Sequence, residues 1–276
     1  MKIFYRNKML KITDIFKYKG LIYATTMRDL YSRYAGSFLG ALWLILPSLF
    51  MIFIYTVIFS NIMKAKLPGV ENQYAYSIYL CSGIITWGIF LEVIQRSKDA
   101  FINNANLIKK SSFPHWILFI PILLVAIFNG LVLLVIVLFF MLILGYPIAV
   151  FNIIFLLSTT FIVTSFLAVS IGAFLSIFNA FSRDIGKIAD VLFQFVFWAT
   201  PIVYPVTIVP EKFKYILDLN PMAYLIKLSQ DILLAKEIVM LESFKYFIYP
   251  LIFATLMMII TVMFYKRTKA DLLDRI

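Results

Sequence analysis

Few residues in this 276-residue chain are of types that carry out acid–base or metal chemistry. The chain has one histidine, His115, and one cysteine, Cys81. No Asp or Glu stands near His115 in the sequence, so the imidazole lacks the carboxylate that usually orients a general base. A lone cysteine forms neither an intramolecular disulfide nor a multi-cysteine metal site. We interpret His115 as a membrane-interface residue and Cys81 as a small packed residue, and we predict no catalytic residue and no metal site.

Glu92 is an acidic residue near the end of an apolar stretch. Two interpretations stay open: a buried functional carboxylate, or an i,i+4 ion pair with Arg96 at the level of the lipid headgroups, which the charged residues that follow favour. The middles of most other apolar stretches contain no ionisable residue, which argues against an ion-coupled carrier. The chain also lacks the GxxxxGK[ST] loop that binds nucleotide phosphates. Any work against a gradient therefore requires energy from a partner.

One face of the fifth apolar stretch carries polar and aromatic residues. They recur at spacings of three and four, which places them on the same side of a helix. Two interpretations stay open: a water-filled path in which sugar rings pack on aromatic faces, or a helix-packing face with a proline kink. The residues are Asp190, Gln194, Phe197, Pro201 and Tyr204, with Trp198 beside them.

The composition is that of a membrane protein. Apolar residues make up 63% of the chain and charged residues 14%, against about 45–50% and 25% in soluble domains, and the mean hydropathy is +0.95. The net charge of +11 therefore reflects lysines and arginines that set membrane topology, and a nucleic-acid partner is not expected. Residues 1–34 lack the continuous apolar run of a secretory signal peptide, so we expect no cleavage.

Six apolar stretches predict an all-α polytopic membrane protein with six transmembrane helices. Gly145, Tyr146 and Pro147 leave only a tight turn between the third and fourth, which predicts an antiparallel hairpin. The fifth stretch gives the weakest prediction of a span, because charged residues occupy its start. Counting it as a span puts most of the 25 Lys and Arg residues and both termini on the cytoplasmic side, in line with the positive-inside rule. The predicted spans are 38–59, 76–95, 116–144, 148–178, 186–204 and 246–265.

Residues 1–37 combine basic residues with aromatic and aliphatic residues at helical spacing. This pattern predicts a helix that lies on the membrane surface, with a disordered basic arm as the alternative. Arg28 and Arg33 are costly to bury in hydrocarbon, so they mark where the bilayer begins. Gly36 and Gly40 have the GxxxG spacing that lets helices pack closely, as in a dimer, although chance spacing in an apolar helix is the alternative.

Two polar connections contain short helices. Residues 97–115 allow one short helix that ends near Pro114, between the second and third spans. Residues 205–245 contain two helix starts, one at Pro210 and one at Asn220, and neither helix is long enough to cross a membrane. Their apolar content favours a re-entrant pair that dips into the outer leaflet on protein, with a small extracytoplasmic helical hairpin as the alternative.

Several segments resemble the ABC-2 membrane permeases that export polysaccharides, namely the O-antigen, capsule and teichoic acid exporters. The resemblance covers nearly the whole chain, and the segments are most specific in combination. They are RDLYSRYAGSFLGALWLILP at 28–47, NNANLIKKSSFPHW at 103–116, FSRDIGKI at 181–188, ATPIVYP at 199–205 and LNPM at 219–222.

This resemblance implies a transport subunit in the bacterial inner membrane, with both termini in the cytoplasm. Two copies would form a homodimer that works with two copies of a separate nucleotide-binding ATPase, and the cargo would be a lipid-linked glycan. ATP and Mg²⁺ would bind to that partner, and this chain would bind no cofactor. The alternatives are an ABC-2 permease for a drug or another lipid, and a membrane-embedded enzyme of lipid-linked sugar metabolism. Activity of the purified chain without an ATPase would favour the enzyme.

The resemblance also implies roles for particular residues, grouped as channel lining, ATPase coupling and gating. Closure of the ATPase would push the coupling segment and rock the first and fifth spans apart. The channel-lining positions are Trp43, Phe50, Gln194, Phe197, Trp198, Pro201 and Tyr204. The ATPase-coupling positions are Asn103, Asn104, Asn106, Lys109 and Lys110. The cytoplasmic gate is the N-terminal surface helix with Arg28, Asp29, Arg33 and Tyr34, and the helices of 205–245 would gate the other side.

Overall fold

The regular structure of the described residues is entirely helical, in agreement with the sequence. Arg33, Tyr34 and Gly36, which the sequence singles out for gating and dimer packing, lie outside the described residues. The computed structural model describes residues 12–32, 38, 40, 42–62, 67–68, 72–110, 114–235 and 240–275.

The helices vary widely in length, and several are joined end to end into longer rods. The 3₁₀ turn His115–Leu118 leads into the seventh helix, and π-helical turns continue the third helix (Thr56–Ile62) and link the eighth to the ninth (Ile153–Leu157). The α-helices are α1 Ile12–Lys17, α2 Lys19–Ser32, α3 Leu42–Tyr55, α4 Ala75–Lys98, α5 Ala100–Asn103, α6 Ala105–Lys110, α7 Phe119–Ile143, α8 Val150–Asn152, α9 Ser158–Phe181, α10 Arg183–Trp198, α11 Glu211–Leu219, α12 Pro221–Leu233 and α13 Met240–Arg275.

Four of the six predicted spans correspond to helices that are long and apolar enough to cross a membrane. These are the second, third, fourth and sixth spans: Ala75–Lys98, His115–Ile143, Val150–Phe181 and Ser243–Arg275. The first apolar stretch forms the shorter α3 and its π-helical continuation. The fifth forms α10, of 16 residues, which ends at Trp198. The prediction that the helix continues to residue 204 is wrong; Pro201 lacks the backbone N–H that a helix interior requires.

Helix α4 forms the centre of the bundle. In its most apolar stretch 78% of the residues are buried, compared with 22% in that of α13. It packs on α7, α9 and α12. Its contact with α9 depends on Gly172, where a Cβ atom would lie 2.6 Å from the Cβ of Ser97 and 3.3 Å from the Cα of Ile94. Small residues allow this close approach of two helix backbones in membrane proteins.

The segments that the sequence assigns to the cytoplasm meet at one end of the bundle. At this end, called the α5–α6 end, Asp29 of α2 pairs with Arg96 of α4, and Tyr265 of α13 is hydrogen-bonded to His115. At the opposite end, called the α11–α12 end, the turn after α7 lies beside α12. The long helices therefore alternate in direction through the bundle, as the predicted topology requires.

The predicted hairpin of the third and fourth spans is confirmed by the turn between α7 and α8. Gly145 has a φ of +64°, a left-handed conformation that glycine adopts without strain. The Tyr146 hydroxyl donates to the carbonyl oxygen of Leu234 at 3.5 Å, which fixes the turn to the end of α12. Burial raises the pKa of Tyr146 above its usual value, so its hydroxyl stays a neutral donor.

Two predictions about local structure need correction. Residues 97–115 form two short helices, α5 and α6, instead of one. Between them the Asn104 side chain donates to the carbonyl oxygen of Ala100 at 2.9 Å, a local bond that competes with helix continuation. Gly40 has a φ of +46° and precedes α3, so it does not lie on a helical face as the GxxxG spacing predicted.

The two helix starts predicted between the fifth and sixth spans are confirmed. Helix α11 begins at Glu211, directly after Pro210. Helix α12 begins at Pro221, and the side-chain oxygen of Asn220 accepts from the backbone N–H of Met222 at 3.0 Å. This cap satisfies one of the N–H groups that lack a partner within the helix.

Candidate functional site

Lys98, the last residue of α4, is buried although it is charged. Its ammonium group donates to the carboxylate of Asp190 and, at 3.2 Å, to the carbonyl oxygen of Gly186. The Lys98 side chain is 8% exposed and that of Asp190 is 40% exposed. A buried ammonium group is costly unless it is paired and hydrogen-bonded. Lys98 therefore depends on α10, and it ties the end of α4 to the first turns of that helix.

The side chain of Asn179, near the end of α9, lies between α4 and α10. Its amide nitrogen donates to the carbonyl oxygen of Lys98 at 3.1 Å and to the carboxylate of Asp99 at 2.8 Å. Its amide oxygen accepts from the backbone N–H of Gly186, the fourth residue of α10, at 3.0 Å. A Cβ atom at Gly186 would lie 2.6 Å from that oxygen. Three helices therefore meet at one buried amide.

A second series of polar contacts joins the surface helix α2 to the bundle. Arg28 lies 3.6 Å from Asp29, which pairs with Arg96, and Arg96 lies 3.6 Å from Glu92. Both oxygens of Glu92 accept from the side-chain amide of Asn129 on α7, at 3.0 and 2.9 Å. The predicted pairing of Glu92 with Arg96 is confirmed. Both residues also bind neighbouring helices, so the chain of contacts links α2, α4 and α7.

The segment that the sequence assigns to ATPase coupling is largely at the surface. Asn103, Asn106 and Lys109 are exposed. Lys110 belongs to α6, and its side chain is outside the described part of the structure. A cavity of about 300 Å³ separates this segment from α2 and the start of α7. Both polar and apolar residues line it, among them Arg28, Asp29, Arg96, Asn103, Asn104 and Leu107.

Helices α3 and α10 present large aromatic side chains at their surfaces. Trp198 is 65% exposed. Phe197 is half-buried, and its ring centroid lies 5.6 Å from that of Trp87 on α4 and 5.3 Å from that of Trp198. Four of the predicted channel-lining residues are thus accessible in a single chain: Trp43 and Phe50 on α3, and Gln194 and Trp198 on α10.

The chain beyond α10 is irregular, and other helices satisfy its carbonyl groups. The Tyr76 hydroxyl donates to the carbonyl oxygen of Val203 at 2.6 Å. The Tyr79 hydroxyl lies within hydrogen-bonding distance of two carbonyl oxygens, at 3.1 Å for Pro201 and 2.9 Å for Tyr204. Irregular backbone that is buried in a membrane protein needs such partners, because lipid cannot satisfy its polar groups. The first turns of α4 therefore hold this segment.

Pro201 and Tyr204 do not continue the helical face that the sequence spacing predicted. Pro201 is buried, and its carbonyl oxygen also accepts from the side-chain amide of Gln230 on α12 at 3.0 Å. The Tyr204 hydroxyl turns back to donate to the carbonyl oxygen of Trp198 at 2.8 Å. The aligned helical face therefore ends at Phe197, and Pro201 is not accessible as a lining residue in a single chain.

Residues 183–204 follow α4 along most of its length. They are attached near Lys98 at one end of α4 and near Tyr79 at the other. The rise of α4 between these two residues is about 29 Å at ~1.5 Å per residue, close to the ~30 Å of a hydrocarbon core. The 16-residue helix α10 is too short to cover this distance alone. The irregular residues after Trp198 cover the rest.

Several residues of this site are not evident from the sequence. Asn129 and Asn179, whose side chains join α4 to α7 and to α9, were not among the residues predicted to be functional. The available signal was an amide side chain inside an apolar stretch, which often marks a contact between membrane helices. No sequence pattern indicates that Lys98 is buried, because a lysine next to Asp99 is equally typical of a solvated helix end.

The titratable residues that could form a metal or catalytic centre are scattered. Among the described residues, no group of three or more His, Cys, Asp and Glu side chains is close enough to hold a metal ion. His115 is buried, with Nδ1 hydrogen-bonded to the hydroxyl of Tyr265 and its ring beside Phe101. The imidazole is thus a packed and hydrogen-bonded residue at the contact of α13 with the start of the third span.

Comparison with known families identifies the class of protein. The family model for ABC-2 type transporters matches residues 20–234, well over half of the chain. This chain belongs to the ABC-2 type transporter family. The matched range includes both polar clusters at the α5–α6 end and the irregular segment after α10. ABC-2 membership and several helices of spanning length make this a multi-pass membrane protein.

The ABC-2 chain is similar to three curated relatives over most of its length. Two are from Klebsiella pneumoniae, both named O-antigen export system permease protein RfbA. One is 27% identical over 223 residues, which cover 77% of this chain and 79% of the relative. The other is 29% identical over 217 residues, or 75% and 77% of the two chains. A relative of the same name from Myxococcus xanthus is 26% identical over 232 residues, or 80% and 83%.

Proposed function

We propose that this ABC-2 protein is the permease subunit of an ATP-driven exporter that moves a lipid-linked polysaccharide across the bacterial inner membrane. Two copies form a homodimer, and two copies of a separate ATPase bind ATP and Mg²⁺. This chain supplies the path and hydrolyses no ATP. The observation that carries the proposal is that three relatives, each matched over three quarters or more of its length, are named O-antigen export permeases.

We assign the α5–α6 end to the cytoplasm and propose six spans. The basic residues of α2, α6 and the end of α13 support this orientation through the positive-inside rule. Helix α3 and its π-helical continuation, from Leu42 to Ile62, support a first span, since the α-helical part alone rises about 21 Å and the π-helical turns extend it further. The distance that residues 183–204 cover along α4 supports the fifth span. The burial of α12 supports a re-entrant helix packed on protein.

We propose that α3 and α10 line the polysaccharide path. Trp43, Phe50 and Trp198 are large and exposed in the single chain, and the C–H groups of sugar rings pack well on such aromatic faces. Gln194 adds a side-chain amide that donates to and accepts from sugar hydroxyls. Phe197 is held against Trp87, so it provides a rigid wall rather than a mobile contact.

We propose that α5 and α6 dock on the ATPase and that α2 controls access at the cytoplasmic side. Docking is supported by the exposed amide and ammonium groups of Asn103, Asn106 and Lys109. These groups can form hydrogen bonds and ion pairs with a partner protein. The pairing of Asp29 with Arg96 supports a gate that moves with the core, since it connects α2 directly to α4. Arg28 extends the same charged surface.

The proposal is tested in the host from which the chain derives. Deletion of its gene should abolish the surface polysaccharide, seen by polysaccharide-specific staining of cell extracts, and the wild-type chain should restore it. We expect a neighbouring gene to encode an ATPase, and that ATPase should co-purify with the chain. A lipid-linked sugar reaction catalysed by the purified chain alone would contradict the proposal, as would reporter fusions that report the C-terminus outside the inner membrane.

The docking assignment is tested with paired charge reversals. Lys109→Glu/Lys110→Glu should abolish co-purification of the ATPase and polysaccharide export, because both lysines lie in the proposed docking helix. The matched control is Lys212→Glu/Lys214→Glu on α11, at the opposite end of the bundle. Loss of the ATPase from the control pair, or its retention by the Lys109/Lys110 pair, would contradict docking at α6.

A further inference from the structure

Five residues join the end of α4, the end of α9 and the start of α10 through buried polar contacts. They are Lys98, Asp99, Asn179, Gly186 and Asp190, here called the clasp. Each member contacts at least one other, through side chains or through the backbone of Gly186 and Lys98. Only the carboxylates of Asp99 and Asp190 lie towards the surface. The clasp is therefore a connected network across three helices and not a set of separate surface pairs.

The coupling segment starts at the clasp without a flexible linker. Asp99 is the single residue between α4 and α5, and its carbonyl oxygen accepts from the backbone N–H of Asn103 at 2.9 Å. The next helical bond, from Asn104 to the carbonyl oxygen of Ala100, is 3.2 Å long. The first of these bonds includes Asp99 in the opening turn of α5, and Asp99 directly follows Lys98, the last residue of α4. A displacement of α5 therefore acts directly on Asp99.

From Asp99 the network leads to α10 by two routes. The first runs through the Asn179 amide to the backbone N–H of Gly186. The second runs through the Lys98 ammonium group to Asp190 and to the carbonyl oxygen of Gly186. The absence of a Cβ atom at Gly186 allows the Asn179 amide to touch the helix backbone itself. Both routes act on the first two turns of α10, the helix that carries Gln194 and Trp198.

We propose that the clasp is a positioning element that carries displacement of the coupling segment to α10. This inference rests on the proposed function, because it requires an ATPase that pushes α5 and α6. When the partner moves this segment, Asp99 and Lys98 move with it, and the buried contacts bring α10 along. The clasp touches no substrate; it sets the position of the aromatic helix that does.

Removal of both charges separates transmission from stability. Asp190→Asn alone leaves the Lys98 ammonium group buried without a carboxylate, which destabilises the fold. Adding Lys98→Met removes that unpaired charge and fills its place with an apolar side chain of similar length, so stability should recover. The Lys98 route between α4 and α10 stays broken in the double variant, and only the Asn179 route remains. A purely structural clasp predicts recovery of stability and export together, whereas a transmitting clasp predicts recovery of stability alone.

The experiment uses the chain in complex with its ATPase. Export is read as the host's own surface polysaccharide in a deletion strain, and ATP hydrolysis is read with the purified complex in vesicles of phosphatidylethanolamine and phosphatidylglycerol. For Asp190→Asn/Lys98→Met we expect wild-type thermal stability, a rate of ATP hydrolysis within about twofold of wild type, and export reduced by about tenfold, a typical size for coupling between sites. Lys98→Arg, which keeps the charge and the donors, should export far better than the double variant.

The control is an exposed pair on the same helix. Asp184 and Lys187 lie 4.0 Å apart and are 80% and 82% exposed, so Asp184→Asn/Lys187→Met should leave export and ATP hydrolysis unchanged. Wild-type export by the double variant shows that the Lys98 route is not needed for transmission, which overturns the clasp inference and leaves the proposed function standing. A parallel fall of export, ATP hydrolysis and stability also overturns it, because that result indicates a structural role. Failure of the wild-type chain to restore surface polysaccharide overturns the proposed function, and the inference with it.

Discussion

The contact between α4 and α9 gives a sharp prediction for a single added methyl group. In Gly172→Ala the new Cβ would lie 2.6 Å from the Cβ of Ser97 and 3.3 Å from the Cα of Ile94. Neither atom moves by rotation of a side chain, so the helix backbones must separate. Overpacking of this kind costs about 1–3 kcal/mol, while alanine recovers at most about 1 kcal/mol of helix propensity over glycine. Because the backbone must move, we expect the overpacking cost to exceed this recovery, with a net loss of up to about 2 kcal/mol.

The loss is measured as the temperature at which half of the detergent-solubilised protein stops migrating as a monodisperse species. Gly88→Ala is the matched control, because it lies on α4 and a Cβ there has no atom within 4 Å. It should be neutral or stabilising. Adding Ser97→Gly to Gly172→Ala should recover part of the loss by removing the clashing Cβ. Equal melting of the Gly172 and Gly88 variants would refute the close contact of α4 and α9.

Other predictions concern the ends of α10. Tyr79→Phe removes the hydroxyl that donates to two backbone carbonyls, and it should lower stability by about 1 kcal/mol. Tyr215→Phe, on the exposed surface of α11, should leave stability unchanged. Equal melting temperatures for the two variants would contradict the contact of Tyr79 with the segment after α10. Trp198→Ala should reduce polysaccharide export with little change in melting, because the ring is largely exposed. Phe197→Ala should lower both, because it packs on Trp87; unchanged export in both aromatic variants would argue against a path along α10.

The long helices could be predicted because their signals are local. A run of apolar residues long enough to cross a bilayer needs no knowledge of its neighbours, and the Asn220–Pro221 start is a cap followed by a residue suited to a first turn. The end of α10 could not be predicted in this way. Helical spacing continues through Pro201 and Tyr204, but the chain leaves the helix there, and the hydroxyls of Tyr76 and Tyr79 donate to the freed carbonyl oxygens.

The clasp could not be predicted because its contacts join residues that are far apart in the sequence. Lys98 contacts Gly186 across 88 positions of sequence, and the Asn179 side chain contacts the Lys98 carbonyl across 81. Neither spacing follows a helical period, so no pattern within one helix indicates the contact. The ion pair of Glu92 with Arg96 was predicted because both residues lie one turn apart on the same helix, whereas the additional partner Asn129 lies on another.

The attachment of residues 183–204 to α4 at both ends constrains how an export path opens. A shift of α10 along or away from α4 breaks the bonds of Lys98 at one end and those of Tyr76 and Tyr79 at the other, and each break leaves buried polar groups without partners. A movement of α4 and α10 together breaks none of them. We therefore expect the two helices to move as one body, so that the proposed path widens between α10 and α3 or between the two copies of the proposed dimer.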